Sequence, residues 1–109
     1  MDDMIKEQIE KEIRENSVML YMKGHKAMPL CGFSARVVEI LKAGGIDFET
    51  RNVLEDDALR EGIKEFSDWP TIPQLYVRGE FIGGCDIICQ MFETGELQKL
   101  LENESNVTS

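Results

Sequence analysis

The sequence predicts an α/β fold, a small four-stranded mixed sheet flanked by helices on both faces. Three observations predict it. Helical and strand patterns alternate in the order α-β-α-β-α-β-β-α-α, which calls for parallel strands joined by crossover helices. The unbroken apolar run Val18 to Met22 reads as a strand buried on both faces. Arg78-Gly79 sits between two short strand patterns as a two-residue hairpin connection, which adds an antiparallel edge.

Each element has its own signal. Ile5, Ile9 and Ile13 recur at helical spacing among charges, so residues 2–15 form an amphipathic helix. Gly24 to Leu30 is a loop, marked by its Gly and Pro. Cys31 to Ala43 is helical with Val37, Ile40 and Leu41 inward, and Gly44-Gly45 stops it. Phe48 to Val53 is the second strand. Asp56 or Asp57 caps a helix whose inner face is Leu59, Ile63 and Phe66. Trp69-Pro70-Thr71-Ile72-Pro73 is a rigid turn. Gln74 to Val77 and Glu80 to Ile82 are the hairpin strands. Gly83-Gly84 opens a helix near residues 85–93, Gly95 breaks it, and Leu97, Leu100 and Leu101 mark a last helix. Residues 102–109 read as a frayed polar tail, so the chain is expected to be one domain over residues 1–109.

Composition narrows the function classes. The chain has 109 residues, 42% of them apolar, enough for one core. A net charge of −9 and the lack of a Lys/Arg cluster argue against nucleic-acid binding and against anionic membranes. No apolar run approaches the roughly 18 residues of a membrane span. The charged, acidic N-terminus fits neither a signal nor a transit peptide. Three cysteines do not make a disulfide scaffold, so a reducing cytoplasm is the expected compartment.

The informative tetrapeptide is Cys31-Gly32-Phe33-Ser34. It stands where a strand unit gives way to a helix, the place where ligand chemistry collects in parallel α/β units. Free amides and the positive end of the helix dipole favour a thiolate there and lower its pKa from about 8.5. Gly32 allows close backbone approach and Ser34 offers a hydroxyl. The competing reading is a buried, inert cysteine. A Cys-x-x-Cys pair would be a dithiol redox motif, but here the second position is serine.

This tetrapeptide resembles the signature of the monothiol glutaredoxins. Met22-Lys23-Gly24 before it, Trp69-Pro70-Thr71-Ile72-Pro73 after it and Gly83-Gly84-Cys85-Asp86 beyond extend the resemblance over roughly residues 4–102. The family implies a thioredoxin-like fold and a glutathione site beside Cys31. By that resemblance Lys23 and Arg60 meet the glycyl carboxylate, though each alone would read as a solvated cation. Ile72-Pro73 corresponds to a cis-proline turn whose Ile72 backbone pairs with the tripeptide like an added strand. Gly84, Cys85 and Asp86 form a helix N-terminus for the γ-glutamyl end. Trp69 reads as core or as a partner surface, the buried aromatic being the more frequent case. Cys85 lines the pocket, Cys89 belongs to the core, and His25 is a surface residue.

The resemblance implies two functions. The first is a carrier of a 2Fe–2S cluster in iron–sulfur assembly and transfer. Such a cluster commonly takes four thiolates, here Cys31 from each of two chains and two glutathiones. The implied partners are a second copy when the cluster is bound, a monomeric state without it, BolA-type proteins and iron–sulfur acceptor proteins. The alternative is a thiol-disulfide oxidoreductase that removes glutathione through catalytic Cys31. The seven residues between Lys23 and Cys31 form the longer loop of the monothiol class, which implies weak oxidoreductase activity at most. That loop carries fewer prolines than is common in the family. The resemblance also places the chain with the short single-domain members.

Overall fold

The computed structural model describes residues 2–106. Helix α1 (Asp3–Glu15) starts on Asp2, whose carboxylate accepts from the Met4 amide at 2.8 Å. Strand β1 (Val18–Met22) follows and is buried along its whole length. Two very short strands, β2 (Gly24–His25) and β3 (Met28–Pro29), come next, then helix α2 (Gly32–Ala43). Strand β4 (Glu49–Asn52), a 3₁₀ turn at Val53–Glu55 and helix α3 (Asp57–Ser67) complete the middle of the chain. Strands β5 (Gln74–Val77) and β6 (Glu80–Gly83) precede helices α4 (Cys85–Thr94) and α5 (Glu96–Asn106).

The sheet order is β4-β1-β5-β6. β1 runs parallel to β4 and antiparallel to β5, and β5 pairs antiparallel with β6. The expected four-stranded mixed sheet is therefore present. The hairpin does supply its antiparallel side, but β5 lies inside the sheet against β1, and of the two hairpin strands β6 alone is an edge. Arg78 (φ 51°) and Gly79 (φ 82°) both take left-handed backbone, the geometry that matches a tight two-residue turn to strand twist.

The period-two rule for strands divides the core into two layers. Val18, Leu20 and Met22 point to the face covered by α2, α4 and α5, where Val37, Leu41, Ile88 and Leu97 meet them. Met19 and Tyr21 point to the opposite face, against Ile9, Ile13, Leu59 and Ile63 of α1 and α3. Glu12 accepts from the Tyr21 hydroxyl at 2.7 Å and pairs with Arg51, so α1 is tied to both β1 and β4. Burial and the Glu12 carboxylate push the Tyr21 phenol well above its ordinary range.

Three expectations change in detail. The segment before Cys31 is a small β2–β3 hairpin, not an irregular loop. Its pairing covers two residues a side, too short for any periodic pattern to announce. Gly24 (φ 96°) is required there, because a Cβ would fall 2.5 Å from the Leu30 amide nitrogen. Of the two candidate caps, Asp56 accepts from the Leu59 amide at 3.1 Å and Asp57 is the first helical residue. The last helix continues to Asn106, past the start of the expected polar tail. The rest of that tail lies outside the described residues. Among the described residues, no helix is long and apolar enough to cross a membrane.

Candidate functional site

Cys31 is the N-cap residue of α2, with extended backbone (φ −145°), so its thiol stands at the helix entrance, half-buried. Burial alone pulls its pKa up. The backbone amides of Ser34 and Phe33, the Lys23 ammonium and the Ser34 hydroxyl outweigh that, and the thiol ends below its ordinary value. Ser34 is fully buried, and its hydroxyl accepts from the Lys23 amide at 3.1 Å. The serine thus fastens the end of β1 to the first turn of α2. Gly32 is exposed, and a Cβ there would meet nothing within 4 Å, so no contact inside the chain demands a glycine.

A cavity of about 440 Å³ opens beside Cys31. This is inside the roughly 300–1,000 Å³ range of small-molecule sites. Four elements bring the expected residues to it. The end of β1 contributes Lys23, and α3 contributes Arg60. The turn before β5 contributes Ile72 and Pro73, and the start of α4 contributes Gly84, Cys85 and Asp86. With Cys31, every residue expected at the site lines this one cavity. The Ile72–Pro73 peptide bond is cis, as expected.

The walls include residues that sequence reasoning did not assign. Lys64 lies one helical turn beyond Arg60 and adds a second cation from α3. That spacing of four was the available signal. Phe33 lines the mouth and is 63% exposed. Trp69 is neither pure core nor free surface: it forms a wall, half-buried, with its ring 5.9 Å from that of Phe81. Its indole Nε1 is buried without a hydrogen-bond partner. An added Cβ at Gly84 would come within 3.2 Å of that nitrogen and 3.3 Å of the Pro73 carbonyl oxygen. Gly84 is the residue that lets α4 sit against the turn.

Chemically, the site presents one acidic thiol at a helix N-terminus. Around the same cavity are three cations, Lys23 after β1 and Arg60 and Lys64 on α3, and a carboxylate, Asp86, on α4. This suits an extended zwitterionic ligand with more than one carboxylate. Cys85 faces a different environment from Cys31. Burial, contact with Cys89 and the charge of Asp86 push its thiol up to about 11. Cys89 is half-buried and packs against the core layer under α4. His25 is exposed, 3.3 Å from Glu55, on the far strand of the hairpin from Cys31.

Comparison with known proteins follows the same outline. The glutaredoxin family model matches residues 18–82. A probable monothiol glutaredoxin 2 of Rickettsia typhi is 52% identical over 99 residues, 91% of this chain and 89% of its own length. A ycf64-like monothiol glutaredoxin of Synechocystis is 54% identical over 102 residues, 94% of this chain and 95% of its own. Among solved structures, reduced apo GrxS14 from poplar superposes with a TM-score of 0.81 at 48% identity. That match covers 96% of this chain and 94% of the poplar one.

Proposed function

The chain belongs to the glutaredoxin family, alongside monothiol relatives, and on that footing we propose that it binds glutathione at Cys31 and carries a 2Fe–2S cluster shared between two copies. The observation that carries the reading is the single acidic thiol beside a cavity fitted for glutathione. Lys23, Arg60 and Lys64 supply charge for the glycyl carboxylate, and the Ile72 backbone supplies main-chain pairing. The α4 N-terminus at Gly84 and Cys85 takes the γ-glutamyl carboxylate, and Asp86 takes its ammonium. The ligand's own sulfur then lies next to Cys31.

Arithmetic favours two copies. A 2Fe–2S cluster takes four thiolates, and the chain has three cysteines, one of them at the cavity mouth and two on α4. Two Cys31 thiolates and two glutathione thiolates complete a set. The cluster is cargo in this reading, and each chain contributes one lowered-pKa ligand and one held glutathione. Leu30 and Phe33, which flank Cys31 in sequence, are both exposed and offer apolar area for a facing copy. Iron–sulfur acceptor proteins and BolA-type proteins are the proposed partners, and a reducing cytoplasm the proposed setting.

The test is reconstitution of the reduced protein with iron, sulfide and glutathione under anaerobic conditions. The expected product is a coloured dimer by visible absorption and gel filtration. Cys31→Ser should give none, and omission of glutathione should prevent assembly. A colourless monomer from the unmodified chain overturns the carrier reading.

The lowered pKa of Cys31 supports a second reading, glutathione-dependent reduction. The Cys31 thiolate would attack the glutathione sulfur of a mixed disulfide and release the substrate thiolate. A second glutathione thiolate would then attack the bound one, giving oxidised glutathione and free Cys31. Turnover in a mixed-disulfide assay at rates typical of dithiol glutaredoxins would favour this reading over the carrier.

A further inference from the structure

Cys85 and Cys89 lie on α4 one turn apart, and their sulfurs are 3.9 Å from each other. Neither thiol takes part in the chemistry proposed at Cys31. The helix holds the pair in an unusual relation. Residues four apart in a helix have Cβ atoms roughly 5–6 Å apart. A disulfide needs about 3.5–4.5 Å between its Cβ atoms. While α4 is intact, the two thiols therefore touch but cannot close directly on each other. A bridging atom removes that limit, because it lengthens the link by one bond. Two bonds of about 2.3 Å at the pyramidal centre of a trivalent atom span roughly 3.4 Å between sulfurs, so the pair, 3.9 Å apart, has only to close by a small side-chain rotation.

The donor set narrows the choice of atom. Among the described residues, no three His, Cys, Asp or Glu side chains come together as a metal site. The fitting ligand needs only two protein sulfurs and brings the remainder of its coordination with it. Trivalent arsenic that carries one organic group meets that condition. It forms two bonds to soft thiolates and keeps its carbon as the third. The path is open, since Cys85 lines the cavity and both cysteines are only partly buried.

We propose that Cys85 and Cys89 form a two-thiol acceptor site for monosubstituted trivalent arsenicals, reached from the cavity at Cys85 and separate from Cys31. The reaction balances without a redox step. Two thiols and one R–As=O give R–As(S–Cys)₂ and one water. Two As–S bonds form, the As=O bond is lost, and both thiol protons leave on its oxygen. Because Cys85 is a wall of the cavity, the occupied site also narrows the space beside Cys31.

Phenylarsine oxide is a direct probe. The reduced full chain is treated with one equivalent, and its intact mass is measured before and after challenge with excess glutathione or with a small dithiol. The unmodified chain and Cys31→Ser should each gain one phenylarsine unit that survives glutathione and is removed by the dithiol, the mark of a chelate. Cys85→Ser and Cys89→Ser should lose the adduct to glutathione at least tenfold faster. Cys89→Ala serves as a second variant, with circular dichroism reporting the fold. A glutathione-resistant adduct in both Cys89 variants overturns the proposal. So does its loss in Cys31→Ser, which would place the chelate on Cys31 and Cys85. An adduct on the unmodified chain that glutathione removes as fast as from the variants also overturns it. None of these outcomes depends on cluster binding.

Discussion

At the scale of single residues, the three thiols of this chain have been given different chemistry by their surroundings. Cys31 sits at a helix entrance beside Lys23, and its thiolate is favoured. Cys85 is half-buried against Cys89 and near Asp86, and its neutral thiol is favoured up to about 11. Alkylation by iodoacetamide follows the thiolate, so the two should separate with pH. Peptide mass mapping at pH 7 should find Cys31 modified first and Cys85 at least tenfold later. Lys23→Gln removes one of the favourable charges and should shift the Cys31 profile to higher pH. The stability signs are opposite for the two groups. The lowered Cys31 pKa stabilises the fold above its unfolded pKa, and that contribution is lost as pH falls through the folded value. The raised Cys85 pKa contributes fully below its unfolded value, and this is lost as pH rises through about 11. The identity of the reactive thiol was legible in the sequence, because strand, loop and helix patterns bracket it. The role of Ser34 was not. A hydroxyl that accepts an amide 11 positions away depends on tertiary approach, which no local pattern records.

At the scale of elements, the site is a junction: the end of β1, one face of α3, the turn before β5 and the start of α4. Gly84 fixes how closely the last two meet, with Trp69 Nε1 and the Pro73 carbonyl at its back. Gly84→Val should push α4 outward and weaken glutathione binding by about tenfold or more, read by isothermal titration. An unfolding free energy lowered by about 1–3 kcal/mol would accompany it, as for other overpacked positions. Unchanged affinity would mean that the α4 N-terminus does not hold the ligand. The helices were readable because each buries a periodic face, Ile9 and Ile13 on α1 and Leu59 and Ile63 on α3, and β1 because its whole run Val18 to Met22 is apolar and buried. What escaped has a physical reason in each case. The β2–β3 hairpin has too few residues to show a period. The central place of β5 is a matter of topology, which short strands do not encode. Lys64 is paired with Glu61 at 3.4 Å and reads locally as an ordinary surface lysine, although its spacing from Arg60 aims both at the cavity.

At the scale of the whole molecule, two electrostatic demands pull in opposite directions. The chain carries a net charge of −9, yet the cavity collects Lys23, Arg60 and Lys64. Glutathione, an anion, is attracted locally by those cations. A second copy of the chain is repelled by the remainder of the surface. In the proposed dimer, what brings two copies together must therefore be apolar contact and shared ligands. Met28, Leu30 and Phe33, from 61% to 67% exposed around Cys31, supply apolar area at the right place. Salt separates the two contributions. Raising ionic strength from about 0.01 M to about 0.1 M shortens the screening length from roughly 30 Å to roughly 10 Å. Repulsion between two anionic chains weakens over that interval, and apolar contact does not. The cluster-loaded dimer should therefore tighten severalfold with salt, measured by sedimentation velocity on a dilution series. Glutathione binding to the chain without cluster should weaken severalfold over the same interval, measured by titration calorimetry. A dimer that loosens with salt would mean that complementary charges, not the exposed apolar side chains near Cys31, form the contact between copies.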